Sequence, residues 1–110
     1  MKLITKDIEK KLLANPLYSG DSKPDNEREI LVKFFTPDSN WTWYVLEANR
    51  IGGNPYELNV DNWEFFGLVD GFEKELGYFR LSDFEGVKGP MGLPIERDRH
   101  FEGYTLADVR

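Results

Sequence analysis

The sequence has 110 residues and a net charge of −6, with 40% hydrophobic and 15% aromatic residues, no cysteine and one histidine. That length fits a single domain, 1–110, with a core of its own. The composition excludes a disulfide scaffold, a thiolate zinc site, an iron–sulfur cluster, a cysteine nucleophile and any site built on two imidazoles.

The start, Met1-Lys2-Leu3-Ile4-Thr5-Lys6-Asp7, meets charge too soon for the apolar core of a secretion signal, so the expected compartment is the cytoplasm. No membrane span is expected, because the densest apolar stretches are interrupted by Lys33, Glu47, Glu64 and Asp70. Thr5 can cap a short amphipathic helix with Ile8, Leu12 and Leu13 on one face, and Pro16 ends it. Residues 19–29 collect Gly20, Asp21, Ser22, Pro24 and Asn26 without an apolar period and read as a loop.

Segments 30–36 and 41–48 are rich in β-branched and aromatic residues around Pro37-Asp38-Ser39-Asn40, the pattern of a β-hairpin. Alternation sets Ile30, Val32 and Phe34 against Leu31, Lys33 and Phe35, and Trp41, Trp43 and Val45 against Thr42, Tyr44 and Leu46. Both faces are apolar, so one should pack on helices while the other is covered or offered to a partner. Residues 49–62 break the pattern and read as a second loop. Segments 63–69 and 76–81 form a second hairpin, with Gly67 and Gly77 marking bulges or close approaches.

Ser82-Asp83-Phe84-Glu85 has the spacing of a capping box for a short helix. After the rigid run Gly89-Pro90-Met91-Gly92-Leu93-Pro94, residues 95–101 can supply an edge strand, and Thr105 caps a last helical turn. The fold expected is therefore α+β: one antiparallel sheet of four or five strands, with the N-terminal helix and the short Ser82 helix on one face.

Several residues are candidates for function. In an extended 95–101 segment, Glu96, Asp98 and His100 share a face and can bracket a divalent metal; the same alternation equally describes an edge strand whose charges discourage pairing. Asp70, Glu73, Glu75 and Asp83 supply carboxylates for acid–base chemistry if burial raises one pKa, and solvated turn acids otherwise. Gly86, Gly89 and Gly92 lack the strand–loop–helix context of a phosphate cradle, and no Gly-x-Ser-x-Gly elbow is present.

The acidic excess lies in residues 51–86, which carry −6, so direct nucleic-acid binding is not expected. Of the strand aromatics, most must be core. A minority, drawn from Trp41, Trp43, Tyr44, Trp63 and Tyr78, would form a partner surface with Asp70, Glu73 and Glu75.

The run Val32-Lys33-Phe34-Phe35-Thr36-Pro37-Asp38-Ser39-Asn40-Trp41-Thr42-Trp43-Tyr44 resembles a bacterial family known as domain of unknown function 2958. The likeness continues through Phe65-Phe66-Gly67-Leu68-Val69, Glu75-Leu76-Gly77-Tyr78-Phe79 and Gly89-Pro90-Met91-Gly92-Leu93-Pro94-Ile95-Glu96-Arg97-Asp98. The resemblance implies a small bacterial protein, often carried on plasmids and other mobile DNA, with no established activity. Its polar motif residues are Asp38, Glu75, Glu96, Arg97 and Asp98.

The leading expectation is a non-enzymatic accessory protein that binds a protein partner and needs no cofactor. The alternatives are a small metal-dependent enzyme using Glu96, Asp98 and His100, and an acidic DNA mimic presenting Glu57, Asp61, Glu64, Asp70, Glu73, Glu75, Asp83 and Glu85.

Overall fold

The two apolar faces of the strands are both covered, from opposite ends of the chain. A computed structural model describes residues 2–51 and 62–110. It contains α1 (Lys6–Leu13), a 3₁₀ turn (Asp25–Glu27), β1 (Val32–Phe35), β2 (Thr42–Ile51), β3 (Asn62–Asp70), β4 (Lys74–Arg80), a second 3₁₀ turn (Leu81–Phe84), β5 (Glu96–Arg97) and α2 (Leu106–Val109). The strands form one antiparallel sheet in the order β4-β3-β2-β1-β5, the α+β arrangement expected.

On the first face, Val32, Phe34, Val45, Ala48, Trp63, Phe65 and Phe79 pack with Leu12 of α1 and Phe84 of the second 3₁₀ turn. On the second, Ile30, Leu46 and Leu68 are covered by Leu106 of α2, with Phe101 and Val109 alongside. The predicted helices thus share one face, and the chain's own C-terminal segment covers the other.

The Thr5 hydroxyl accepts a hydrogen bond from the Ile8 amide at 3.3 Å, capping α1 as expected. Ile8 and Leu12 face the core, but Leu13 is 56% exposed, one position past the buried stripe. Residues 19–29 contain the 3₁₀ turn and a bridge from Glu29 to Thr105. Of the residues 49–62 read as a loop, 49–51 and 62 belong to strands. β2 continues through Ile51 and β3 starts at Asn62, because pairing partners supply the hydrogen bonds that local propensity does not predict. Residues 52–61 lie outside the described residues.

Two further expectations shift. In β1, Leu31 and Val32 both join the first core cluster, so alternation begins only at Val32. The Ser82 capping box moves back by two residues: the Asp83 carboxylate accepts from the Arg80 amide at 2.8 Å, while Ser82 is tied by its own amide to the Asn62 side chain at 3.1 Å. Thr105 does open α2, with its amide donating to the Asp108 carboxylate at 2.7 Å.

A β-bulge in β2 decides where the one buried acid goes. The register jumps from Val45↔Gly67 to Glu47↔Phe66, leaving Leu46 as the additional residue. Val45 and Ala48 therefore serve the first face, while Leu46 and Glu47 both turn to the second. Gly67 permits this, because a Cβ there would overlap the Tyr44 carbonyl oxygen. Gly77, its partner across β3–β4, meets nothing within 4 Å and marks no close approach.

Glu47 is 3% exposed and fully engaged. One carboxylate oxygen accepts from the Tyr18 amide at 2.9 Å; the other accepts from the Gly20 amide at 2.6 Å and from Arg28 at 3.2 Å. Tyr18 adopts a left-handed φ of 74° to aim its amide at the carboxylate, an uncommon conformation for a bulky residue. Glu47→Ala leaves the Arg28 charge buried without its partner. It is expected to cost about 3–5 kcal/mol in urea unfolding, a loss that Lys74→Ala on the surface will not approach.

Gly67→Ala is expected to destabilise strongly by forcing the bulge apart. Gly77→Ala is expected to be neutral or to stabilise by about 0.5 kcal/mol. Thermal midpoints of the two variants, measured side by side, check the contrast.

Candidate functional site

Because the strands alternate in direction, the β1–β2 turn, the β3–β4 turn and the approach to β5 gather at one end of the sheet. The first turn is clamped by Thr36, which is 6% exposed. Its amide donates to the Trp41 carbonyl at 3.0 Å, and its hydroxyl accepts from the Trp41 amide at 3.0 Å. Trp41 then lies across Gly71 of the second turn, where any Cβ would run into the indole ring. The Trp41 ring stacks on Trp43 with centroids 6.0 Å apart, and Trp43 packs on Phe84 at 4.9 Å, so the half-buried indole is backed by the core.

Phe72 stands at the tip of the β3–β4 turn, 96% exposed. Its ring meets Trp41 edge-on, 5.3 Å between centroids and 81° between planes. The two rings, with Val69, Glu73 and Glu75, line a hollow of 290 Å³. Among the described residues, no ion pair or side-chain hydrogen bond engages either carboxylate. Lys74, between them in sequence, donates instead to the Val109 carbonyl at 3.0 Å.

Asp38 secures a third segment to the same end. Its carboxylate accepts from the Met91 amide at 2.7 Å and the Leu93 amide at 3.4 Å, while its other oxygen is buried against Gly89. Residues 88–94 form a small hairpin, with the Gly92 amide donating to the Gly89 carbonyl at 2.9 Å and Gly92 itself at a φ of 80°. Met91 and Leu93 are thereby held out at 80% and 42% exposure.

The other predicted partner residues separate. Trp63 is 1% exposed, deep in the first cluster, and belongs to no surface, because its position opposite Arg50 in the register faces the core. Trp43 is half-buried behind Trp41. Tyr44 is half-buried on the second face beside Phe101, and burial, then the charge of Asp70, raises its phenol above the ordinary value. Tyr78 is exposed, packs on Phe66 at 5.1 Å, and has its phenol raised first by a side-chain hydrogen bond with Tyr18.

The metal constellation loses its geometric premise. β5 ends at Arg97, so Glu96, Asp98 and His100 are not three positions of one strand. Glu96 lines a cavity between α1 and the second 3₁₀ turn, whereas Asp98 pairs with Lys33 at 3.6 Å and accepts from the exposed His100 amide at 3.0 Å. No group of three or more metal-ligating side chains occurs among the described residues.

The acids also divide. Glu64 and Asp70 alternate with the core-facing Trp63 and Val69, placing them on the second face, while Glu75, opposite Val69, lies on the first. Glu57 and Asp61 lie outside the described residues. A DNA mimic needs its charges on one surface, and the six described acids do not form one.

The cavity containing Glu96 measures 560 Å³, with Trp63, Phe84 and Ile95 among its apolar walls. Its rim balances Lys2, Lys6 and Arg50 against Glu9, Glu85 and Glu96, and Arg50 pairs with Glu9 while stacking 5.0 Å over Trp63. The rim therefore selects no sign of charge.

Phe72, Met91 and Leu93 were not legible as surface residues; the one available signal is an aromatic placed inside turn chemistry, Asp70-Gly71-Phe72-Glu73, where no strand period requires it. Asp38→Ala is expected to free the Met91 and Leu93 amides and raise hydrogen exchange across 88–94. Exchange in β2 and β3 should stay unchanged, since neither strand depends on that carboxylate.

No curated protein and no solved structure matches this sequence in the searches made. No helix among the described residues is long and apolar enough to cross a membrane. The motif-rich strands, the Asp38-held turn and the covering residues Phe101 and Leu106 all fall within residues 3–107, the span matched by one family, and the chain belongs to it: Protein of unknown function (DUF2958).

Proposed function

We propose that this chain is a non-enzymatic protein-binding module, an accessory protein of a plasmid or another mobile element, whose partner docks on the hairpin end of the sheet. Phe72 carries the reading. A phenylalanine 96% exposed at a turn tip contributes almost nothing to folding, yet it is held beside a Trp41 ring that the core supports from behind. Rigid aromatic anchors of this kind supply most of the energy of protein interfaces. Met91 and Leu93, presented by the Asp38-held turn, extend the apolar surface at the same end. The mobile-element setting rests on the family resemblance of the sequence alone.

Tagged protein is expected to capture a stoichiometric partner from bacterial lysate. Phe72→Ser should leave stability within about 0.5 kcal/mol and weaken that capture at least about fivefold. A partner held equally by the variant, or no stoichiometric partner at all, overturns the proposal.

A further inference from the structure

The geometry points to an arginine side chain, on a basic segment of a partner protein, as the occupant of the hollow between Trp41 and Phe72. This rests on the docking end proposed above and adds the chemistry of what it holds.

The protein repeats one way of holding a cation. Arg28 lies 5.4 Å over the Phe66 ring and pairs with Glu47 at 3.2 Å. Arg50 lies 5.0 Å over Trp63 and pairs with Glu9. Lys33 sits 5.1 Å over Phe101 and 5.9 Å over Tyr44 and pairs with Asp98 at 3.6 Å. Each site combines an aromatic face with a carboxylate, because the ring quadrupole attracts the cation and the carboxylate neutralises it.

The hairpin corner has the same two components and no cation of its own. Trp41 and Phe72 set two rings 81° apart, and Glu73 and Glu75 border the hollow they form. Lys74 is committed to the Val109 carbonyl, and the sequence of 52–61 contains no lysine or arginine to fill the site. The Phe72 ring, 96% exposed, has a face on which a planar guanidinium can stack while its edge donates to a carboxylate, with the Trp41 ring beside it. The charge of the hollow is −2 from Glu73 and Glu75 with no basic lining residue, which sets the sign of the occupant.

The test is an NMR titration of the full chain with an acetylated Gly-Arg-Gly-Arg-Gly peptide and with its citrulline counterpart, which keeps the shape and removes the charge. The arginine peptide is expected to give saturable shifts at the Trp41 indole N–H and the Gly71, Phe72 and Glu73 amides. The citrulline peptide should bind about 2- to 30-fold more weakly, the range a cation–π contact accounts for. Phe72→Ser and, separately, Glu73→Gln with Glu75→Gln should each weaken the arginine peptide while leaving the thermal midpoint in place.

Equal binding of both peptides, or binding that both variants retain, overturns the inference. If the lysate partner still requires Phe72 while no arginine peptide binds at the corner, the cationic occupant fails and the docking end stands. If the partner ignores Phe72 as well, both fail.

Discussion

The buried carboxylate of Glu47 is the interaction on which the rest of the architecture is arranged. Removing a carboxylate from water costs several kcal/mol, roughly, and is tolerated only when its lone pairs are met. Here two loop amides and a guanidinium meet them. Those contacts pull the segment after α1 onto the sheet, where the Ala48 amide also donates to the Asn15 carbonyl at 3.0 Å and the Leu17 amide to Asn49 at 3.0 Å. From Arg28 the order passes to the other terminus: its carbonyl accepts from the Leu106 amide at 2.9 Å, and two residues on the Ile30 amide donates to the Tyr104 carbonyl at 2.9 Å. One acid thus joins the N-terminal helix, the second face and the C-terminal helix. The Gly67 bulge is its precondition, since regular alternation would turn Glu47 toward the other face.

Covering both faces of a small sheet leaves few aromatics for anything else. Phe34, Trp63 and Phe65 are fully enclosed, and Phe79 and Phe84 complete the same cluster. Tyr44, Phe66 and Phe101 serve the second cluster. Among the described residues, exposed aromatic rings occur at three places: the Tyr18–Tyr78 pair, Tyr104 stacked on Phe101, and Phe72 at the Trp41 corner. At the corner, rings backed by the core lie beside Glu73 and Glu75, two carboxylates that no described residue pairs. The stacking of Trp41 on Trp43 and the tilted packing of Trp43 on Phe84 run from that surface to the interior, so the rigidity of the core is available at the corner.

The acidic balance of the chain acts locally. The sheet divides the described acids of 62–86 between its faces, and two of them are engaged by Arg80: Glu64 by its side chain at 3.8 Å, Asp83 by its amide. Asp98, attractive as a metal ligand in sequence, is occupied by Lys33 and by the turn that follows it. What survives as unneutralised charge next to an aromatic surface is the pair Glu73 and Glu75, a smaller and more directed feature than the net charge suggests.

Periodicity by itself determined the strand pairs, the Thr5-capped helix, the two-sided apolar sheet and the special status of Gly67, because each depends on neighbours within a few residues. Composition also marked the aromatic excess and the acidic segment. It did not separate Trp63 from Trp41: both sit in strand-like contexts, and only the register, placing one opposite Arg50 over the core and the other across Gly71 at a turn, assigns one to the interior and one to the surface. The extent of β5 was equally illegible: β1 continues through Lys33 and Val32, but the other strand gives way after Arg97 to a turn in which the Asp98 carboxylate accepts from the His100 amide. Burial of Glu47, the role of Asp38 and the exposure of Phe72 were decided by contacts between residues 19 to 55 positions apart or by the absence of such contacts, and a local pattern carries no information about partners at that distance.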